Sequence, residues 1–196
     1  MKYDRVTRWL HLGLAFAVAN QLFCSLLMEV PEPGAVRTHS EQLFFLIHER
    51  SGLAVLALMG GHWLWGLAGH VSEGWGHLFP WFSRERIRRL GSDLRSVPEW
   101  FSQKFPSQES ETIPLTGAVH GLGLLAVTAM GLTGGAIFWG MAPDGSASPF
   151  IVLIKEIHGF LAIFVWAYLI GHVGMAFFHH RLGHRTLADM FNLVGK

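Results

Sequence analysis

The chain has 196 residues, of which 51% are hydrophobic and only 15% are charged. A soluble domain is normally about a quarter charged, so this composition favours a membrane protein. The net charge of +1 gives no overall basic character for nucleic acid, and the single cysteine excludes an internal disulfide, a cysteine-rich zinc site, an iron–sulfur cluster held by this chain and covalently attached haem.

Four apolar segments are long enough to cross a membrane. In chain order they are approximately 8–28, 43–69, 114–140 and 151–178. Because about 20 apolar residues of helix cross the hydrocarbon core, they predict an all-α fold, an integral membrane four-helix bundle that forms a single domain over 1–196. No small-residue cleavage site follows the first segment, so we expect it to be retained as a span rather than removed as a signal peptide.

The distribution of positive charge predicts the orientation of the spans. Of the 15 Lys and Arg residues, all but Arg37, Arg50 and Lys155 precede the first span, lie between the second and third, or follow the fourth. The positive-inside rule then places the N- and C-termini and the loop 71–112 in the cytoplasm. This loop interleaves Arg with aromatic residues, which predicts an amphipathic helix on the anionic inner leaflet; single-stranded nucleic acid also suits such a pattern, but membrane lipid is favoured beside four spans.

The fourth segment contains two of the twelve histidines in its apolar interior, His158 and His172. They are 14 positions apart, and at about 100° per residue both imidazoles leave nearly the same face of a helix, about 21 Å apart along its axis. Ionisable groups are costly inside a membrane and are functional by default. The helix therefore offers one ligand near each leaflet.

The depths of the other histidines suggest partners for these two. His48 lies near the outer leaflet at the level of His158, whereas His172 has three candidates near the inner leaflet, His11, His62 and His120. Two imidazoles on opposite faces of a porphyrin hold a b-type haem, so the layering predicts two haem groups stacked across the bilayer. The spacing leaves the inner partner of His172 open.

These histidines could instead form hydrogen bonds between helices, relay protons or bind a metal ion without haem. Histidine-based zinc transporters normally add Asp or Glu within the spans, and here only Glu49 and Glu156 stand near the outer boundary. A haem-free metal or proton transporter is therefore less favoured than a protein that binds haem through these histidines.

The motifs of all four segments resemble the prokaryotic cytochrome b561 family. They are RWLHLGLAF at 8–16, His48 with Ser51-Gly52, HWLWGLAG at 62–69, His120, the run 157–180 and the tail RTLADMF at 185–191. The closest branch is the cytochrome b subunit of membrane-bound nickel-iron hydrogenases. The resemblance covers nearly the whole chain and implies a multi-pass protein of the bacterial inner membrane.

The resemblance also implies the haem ligands. Carried over by position, His11 and His172 hold the inner haem b, and His48 and His158 the outer one, both without covalent attachment. The family usually has Arg where this chain has His62. His48 and His62 are themselves 14 apart, so spacing alone also permits His62 as the partner of His172.

The expected function is electron transfer through the two haems, between a redox partner and the quinone pool. We expect the chain to act as the membrane-anchor cytochrome b subunit of a respiratory oxidoreductase, beside a catalytic or cytochrome c-type subunit. Because iron with two histidine ligands has no open coordination position, no catalytic residue is predicted. The alternative is a stand-alone oxidoreductase, for example from superoxide to quinone, and the chain could form a homodimer.

Overall fold

The computed structural model describes residues 4–70, 74–100, 114–181 and 190–191. Within these ranges the chain is helical, and the only β-type pairing is an isolated bridge between Met141 and Ala147. The six α-helices of the described residues are α1 Arg5–Ser25, α2 His39–Trp65, α3 Trp75–Leu78, α4 Arg84–Trp100, α5 Pro114–Gly140 and α6 Pro149–Arg181. The prediction of an all-α fold is confirmed.

Three of the described helices are long and apolar enough to cross a membrane. They are α2 with its extension to His70, α5 and α6, which correspond to three of the four predicted spans. The 21 residues of α1 would reach about 32 Å, enough to cross. Its polar residues Arg8, His11, Asn20 and Gln21 lower its mean hydropathy, so by composition it does not stand out as a span.

The helices pack in a row, α1 on α2, α2 on α5 and α5 on α6. Leu14, Val55, Met59 and Val127 form the buried core between the first three of these helices. By contrast, Val165 is the one buried residue among the 33 of α6. The backbone of α6 is not packed closely against α1 or α2. Side chains make the contacts between α6 and these two helices.

A short segment after α2 docks on α5. It consists of α3 and a 3₁₀ turn, Pro80–Phe82, in which Pro80 is fully buried. The carbonyl oxygens of His77 and Leu78 come so close to Gly117 and Gly121 that a Cβ on either glycine would overlap them. The absence of side chains at two successive turns of α5 therefore lets this segment lie directly on the helix.

The amphipathic helix predicted in the loop 71–112 corresponds to α4. Ile87 and Leu94 are exposed apolar residues of this helix, and Arg89 pairs with Glu85 one turn earlier at 2.5 Å. The Asp93 carboxylate accepts a hydrogen bond from the backbone N–H of Leu115 in the first turn of α5, at 3.2 Å. Residues 71–73 and 101–112 of the loop lie outside the described residues.

The close docking at Gly121 leads to a prediction for stability. We expect Gly121→Ala to destabilise the detergent-solubilised protein by about 1–3 kcal/mol, because the new methyl group overlaps the Leu78 carbonyl and the backbone must shift. Gly60→Ala is the control, since an added Cβ there meets no described atom within 4 Å. Thermal unfolding followed by circular dichroism would compare the two, and equal midpoints would contradict the close docking.

Candidate functional site

The first pair of histidines joins α2 to α6. The ring centroids of His48 and His158 are 6.4 Å apart and their planes are nearly perpendicular, at 86°. His48 Nδ1 lies 3.2 Å from the main-chain carbonyl oxygen of Gln21 on α1. Because a carbonyl only accepts, this hydrogen bond places the hydrogen of a neutral His48 on Nδ1 and leaves the Nε2 lone pair for a metal.

Polar side chains of α1 and α2 fix this position further. The Gln21 amide donates to the carbonyl oxygen of His48 at 3.0 Å and to the Ser51 hydroxyl at 2.5 Å. Ser51 in turn donates to the carbonyl oxygen of Ile47 at 2.6 Å. Gln21 therefore both accepts from the His48 ring and donates to its backbone, which holds the imidazole in one orientation.

The second pair joins α1 to α6. The ring centroids of His11 and His172 are 6.1 Å apart with an interplanar angle of 52°. Tyr168, one turn earlier on α6, stacks on His172 with a centroid distance of 5.3 Å and an angle of 20°. His120 on α5 also contacts His172, at 5.2 Å and 82°. The structure thus brings two of the three predicted partners against His172.

His62 is placed differently. No ring contact joins it to His172 in the described part of the chain, and its Nδ1 atom is buried without a hydrogen-bond partner there. His11 Nδ1 is likewise buried and has no hydrogen-bond partner among the described residues. His62 is therefore a half-buried residue on the same helix as His48, and its ring belongs to neither pair.

Both pairs have the spacing of two imidazoles bound to one metal from opposite sides. A metal–nitrogen bond of about 2 Å, plus about 1 Å from the nitrogen to the ring centre, places two such ring centres about 6 Å apart. The observed 6.4 Å and 6.1 Å match this value. The described residues hold no cluster of three or more His, Cys, Asp or Glu arranged for a metal ion.

The two levels are separated by apolar side chains. Val165 lies seven residues from both His158 and His172, and Val55 lies seven residues from both His48 and His62. Seven residues are close to two helical turns, so each valine shares the face of its histidines. With 3% and 5% of their surface exposed, these valines fill the level midway between the pairs.

A buried charge lies near the second pair. Arg8, one turn before His11 on α1, is 3% exposed and is the one buried charged residue in the part of the chain that the structure describes. A buried guanidinium is stable only with anionic or hydrogen-bonding partners. This end of the site therefore carries a buried positive charge beside His11.

A family model for prokaryotic cytochrome b561 matches residues 2–193, almost the whole chain. The chain belongs to the prokaryotic cytochrome b561 family. No curated protein and no solved structure matches it. Cytochromes b561 of this family are membrane proteins that transfer electrons across the membrane through b-type haem, and the paired imidazoles fit that group.

Three contacts of this cytochrome b561 were not predicted from the sequence. Gln21 on α1 is hydrogen-bonded to His48, and Thr133 on α5 is hydrogen-bonded to His158. No local sequence pattern indicates either contact. Tyr168 stands four residues before His172, so helical spacing alone could have placed it on the ring. The missed residues are those that orient the predicted ligands.

Proposed function

We propose that this cytochrome b561 holds two b haems, one at each histidine pair. His48 and His158 are the axial ligands of the outer haem, and His11 and His172 those of the inner one. The observation that carries the proposal is that two histidines of one helix, α6, each pair with a histidine of another helix, at 6.4 Å and 6.1 Å. The 14-residue spacing on α6 sets the two levels about 21 Å apart along the axis.

Bound haem supplies one-electron oxidation and reduction of its iron. The two imidazoles of each pair would hold the haem iron, which would leave no coordination position for a substrate and restrict the iron to electron transfer. Gln21 and Ser51 keep His48 in the tautomer and orientation that ligation needs.

The proposed topology has four spans, with α1 as the first and both termini in the cytoplasm. Its support is the charge distribution, in which only Arg37, Arg50 and Lys155 belong to the opposite side. An α1 that packs along α2 and contributes His11 to the site must lie parallel to the spans. In this topology α4 lies at the inner leaflet, where its arginines meet anionic lipid.

We propose that the electrons pass between a partner on the outer side and the quinone pool. The chain would then be the membrane-anchor cytochrome b subunit of a respiratory oxidoreductase, close to the nickel-iron hydrogenase branch. The connections 26–38 and 141–148 are short, which leaves little room for an independent catalytic site on the outer side. This favours a separate catalytic or cytochrome c-type subunit over a chain that oxidises superoxide alone.

The content of haem tests this proposal. We expect two b haems per chain in the purified protein, measured as the pyridine haemochrome and as a dithionite-reduced minus oxidised spectrum. One haem per chain would show that one histidine pair is structural. A folded protein without haem would contradict the cytochrome and support the histidine-based transporter. Quinone reduction by the isolated chain with superoxide would instead support the stand-alone enzyme.

A further inference from the structure

We propose that Thr133 is a positioning residue that sets the electron donation of His158 to the outer haem and thereby lowers the reduction potential of that haem. The inference rests on the proposed function. Thr133 lies on α5, which contributes neither of the two ligand pairs, and its Oγ1 is 2.8 Å from His158 Nδ1. It therefore reaches the ring nitrogen that would not bind iron.

The direction of this hydrogen bond follows from the other contacts of Thr133. Its hydroxyl is 2.8 Å from the carbonyl oxygen of Ala129 and 3.2 Å from that of Met130, and it can only donate to these oxygens. Since a hydroxyl carries a single hydrogen, its lone pair is what remains for His158. The geometry thus makes His158 Nδ1–H the donor and Thr133 Oγ1 the acceptor.

An imidazole that donates from Nδ1 is a more basic ligand through Nε2. A more basic ligand stabilises ferric iron relative to ferrous iron, so the reduction potential falls. His48 also donates from Nδ1, to the Gln21 carbonyl, so both outer ligands are strengthened. At the inner level His11 Nδ1 has no acceptor among the described residues. This contrast with His11 points to an outer haem of lower potential than the inner one.

The close approach of α5 to this ring supports a positioning role. A Cβ added at Gly134, next to Thr133, would lie 3.2 Å from His158 Cε1. The glycine therefore lets α5 come near enough for the hydroxyl to reach the imidazole. The hydrogen bond and the close approach together hold the His158 ring against α5.

The test is a potentiometric titration of both haems in the intact protein. Thr133→Val keeps the side-chain shape and removes the acceptor, so the outer haem should shift to a more positive potential while the inner haem stays unchanged. Thr133→Ser retains the hydroxyl and should behave like the wild type. Thr128→Val is the matched control, since Thr128 lies on the same helix and its hydroxyl accepts from Trp63 and donates to Leu124 without contacting a histidine.

Each outcome decides the inference. A wild-type outer potential in Thr133→Val, or an equal shift in Thr133→Ser, would overturn it. Loss of the outer haem from the valine variant alone would support it, and loss from both variants would contradict a role of the hydroxyl. The wild-type spectrum separates the two proposals: without two b haems the proposed function fails, whereas two haems with no response to Thr133→Val refute this inference alone.

Discussion

Replacement of His158 with alanine is expected to remove the outer haem and leave the inner haem in place. The substitution deletes one of the two proposed axial imidazoles, and the ring of His48 would not hold low-spin iron alone. The inner ligands belong to a level about 21 Å away, measured along α6. The variant should therefore keep about half of the b-haem content, with a spectrum of bis-histidine haem.

His180→Ala is the matched control for this experiment, because His180 lies in the last turn of α6 and outside both pairs. It should retain the haem content of the wild type. Membrane insertion of both variants is checked by extraction and by size-exclusion chromatography. Loss of both haems from a correctly inserted His158→Ala protein would contradict two independent levels.

Replacement of His11 with alanine is expected to remove the inner haem, whereas His62→Ala and His120→Ala should retain it. His11 faces His172 at 6.1 Å, the spacing of two ligands of one metal. His120 is nearer, at 5.2 Å, and its Nδ1 lies 2.9 Å from the Thr116 carbonyl oxygen. His62 makes no described ring contact with His172. The haem content and the reduced spectrum of the three variants are the measurement.

This series distinguishes all three candidate partners of His172. An inner haem that survives His11→Ala and disappears in His120→Ala would assign the ligand to α5. Its disappearance in His62→Ala alone would assign both ligand pairs to α2 and α6. His70→Ala serves as the control, since His70 stacks on Trp65 at 3.8 Å and belongs to neither pair.

The relative position of His158 and His172 could be predicted from the sequence because both residues lie on one helix. A spacing of 14 residues puts His158 and His172 on one face whatever surrounds the helix, and the structure shows both of them in ring pairs. Depth in the membrane suggested His48 as the partner of His158, and the two rings contact each other in the structure. The partner of His172 was harder, because three histidines on three helices reach the same depth and depth alone does not choose between them.

The orientation of the ligands could not be predicted, since it depends on tertiary contacts. Thr133 and His158 are 25 residues apart on different helices, and Gln21 reaches His48 through a main-chain oxygen that has no sequence signature. The docking of α3 on Gly117 and Gly121 is also a tertiary event. The first span was predicted from its apolar length, but the polar residues of α1, His11 among them, lower the mean hydropathy of this helix.

The valine level between the histidine pairs has an energetic consequence. Val165 and Val55 bind no proton, so an electron that passes them between the proposed haems carries its charge without compensation. Such a step is electrogenic, and a membrane potential of 100 mV would change its free energy by up to about 2.3 kcal/mol for a full crossing. Electron transfer through this chain would thus respond to the membrane potential. Electrons that pass from the outer to the inner level would also add to that potential.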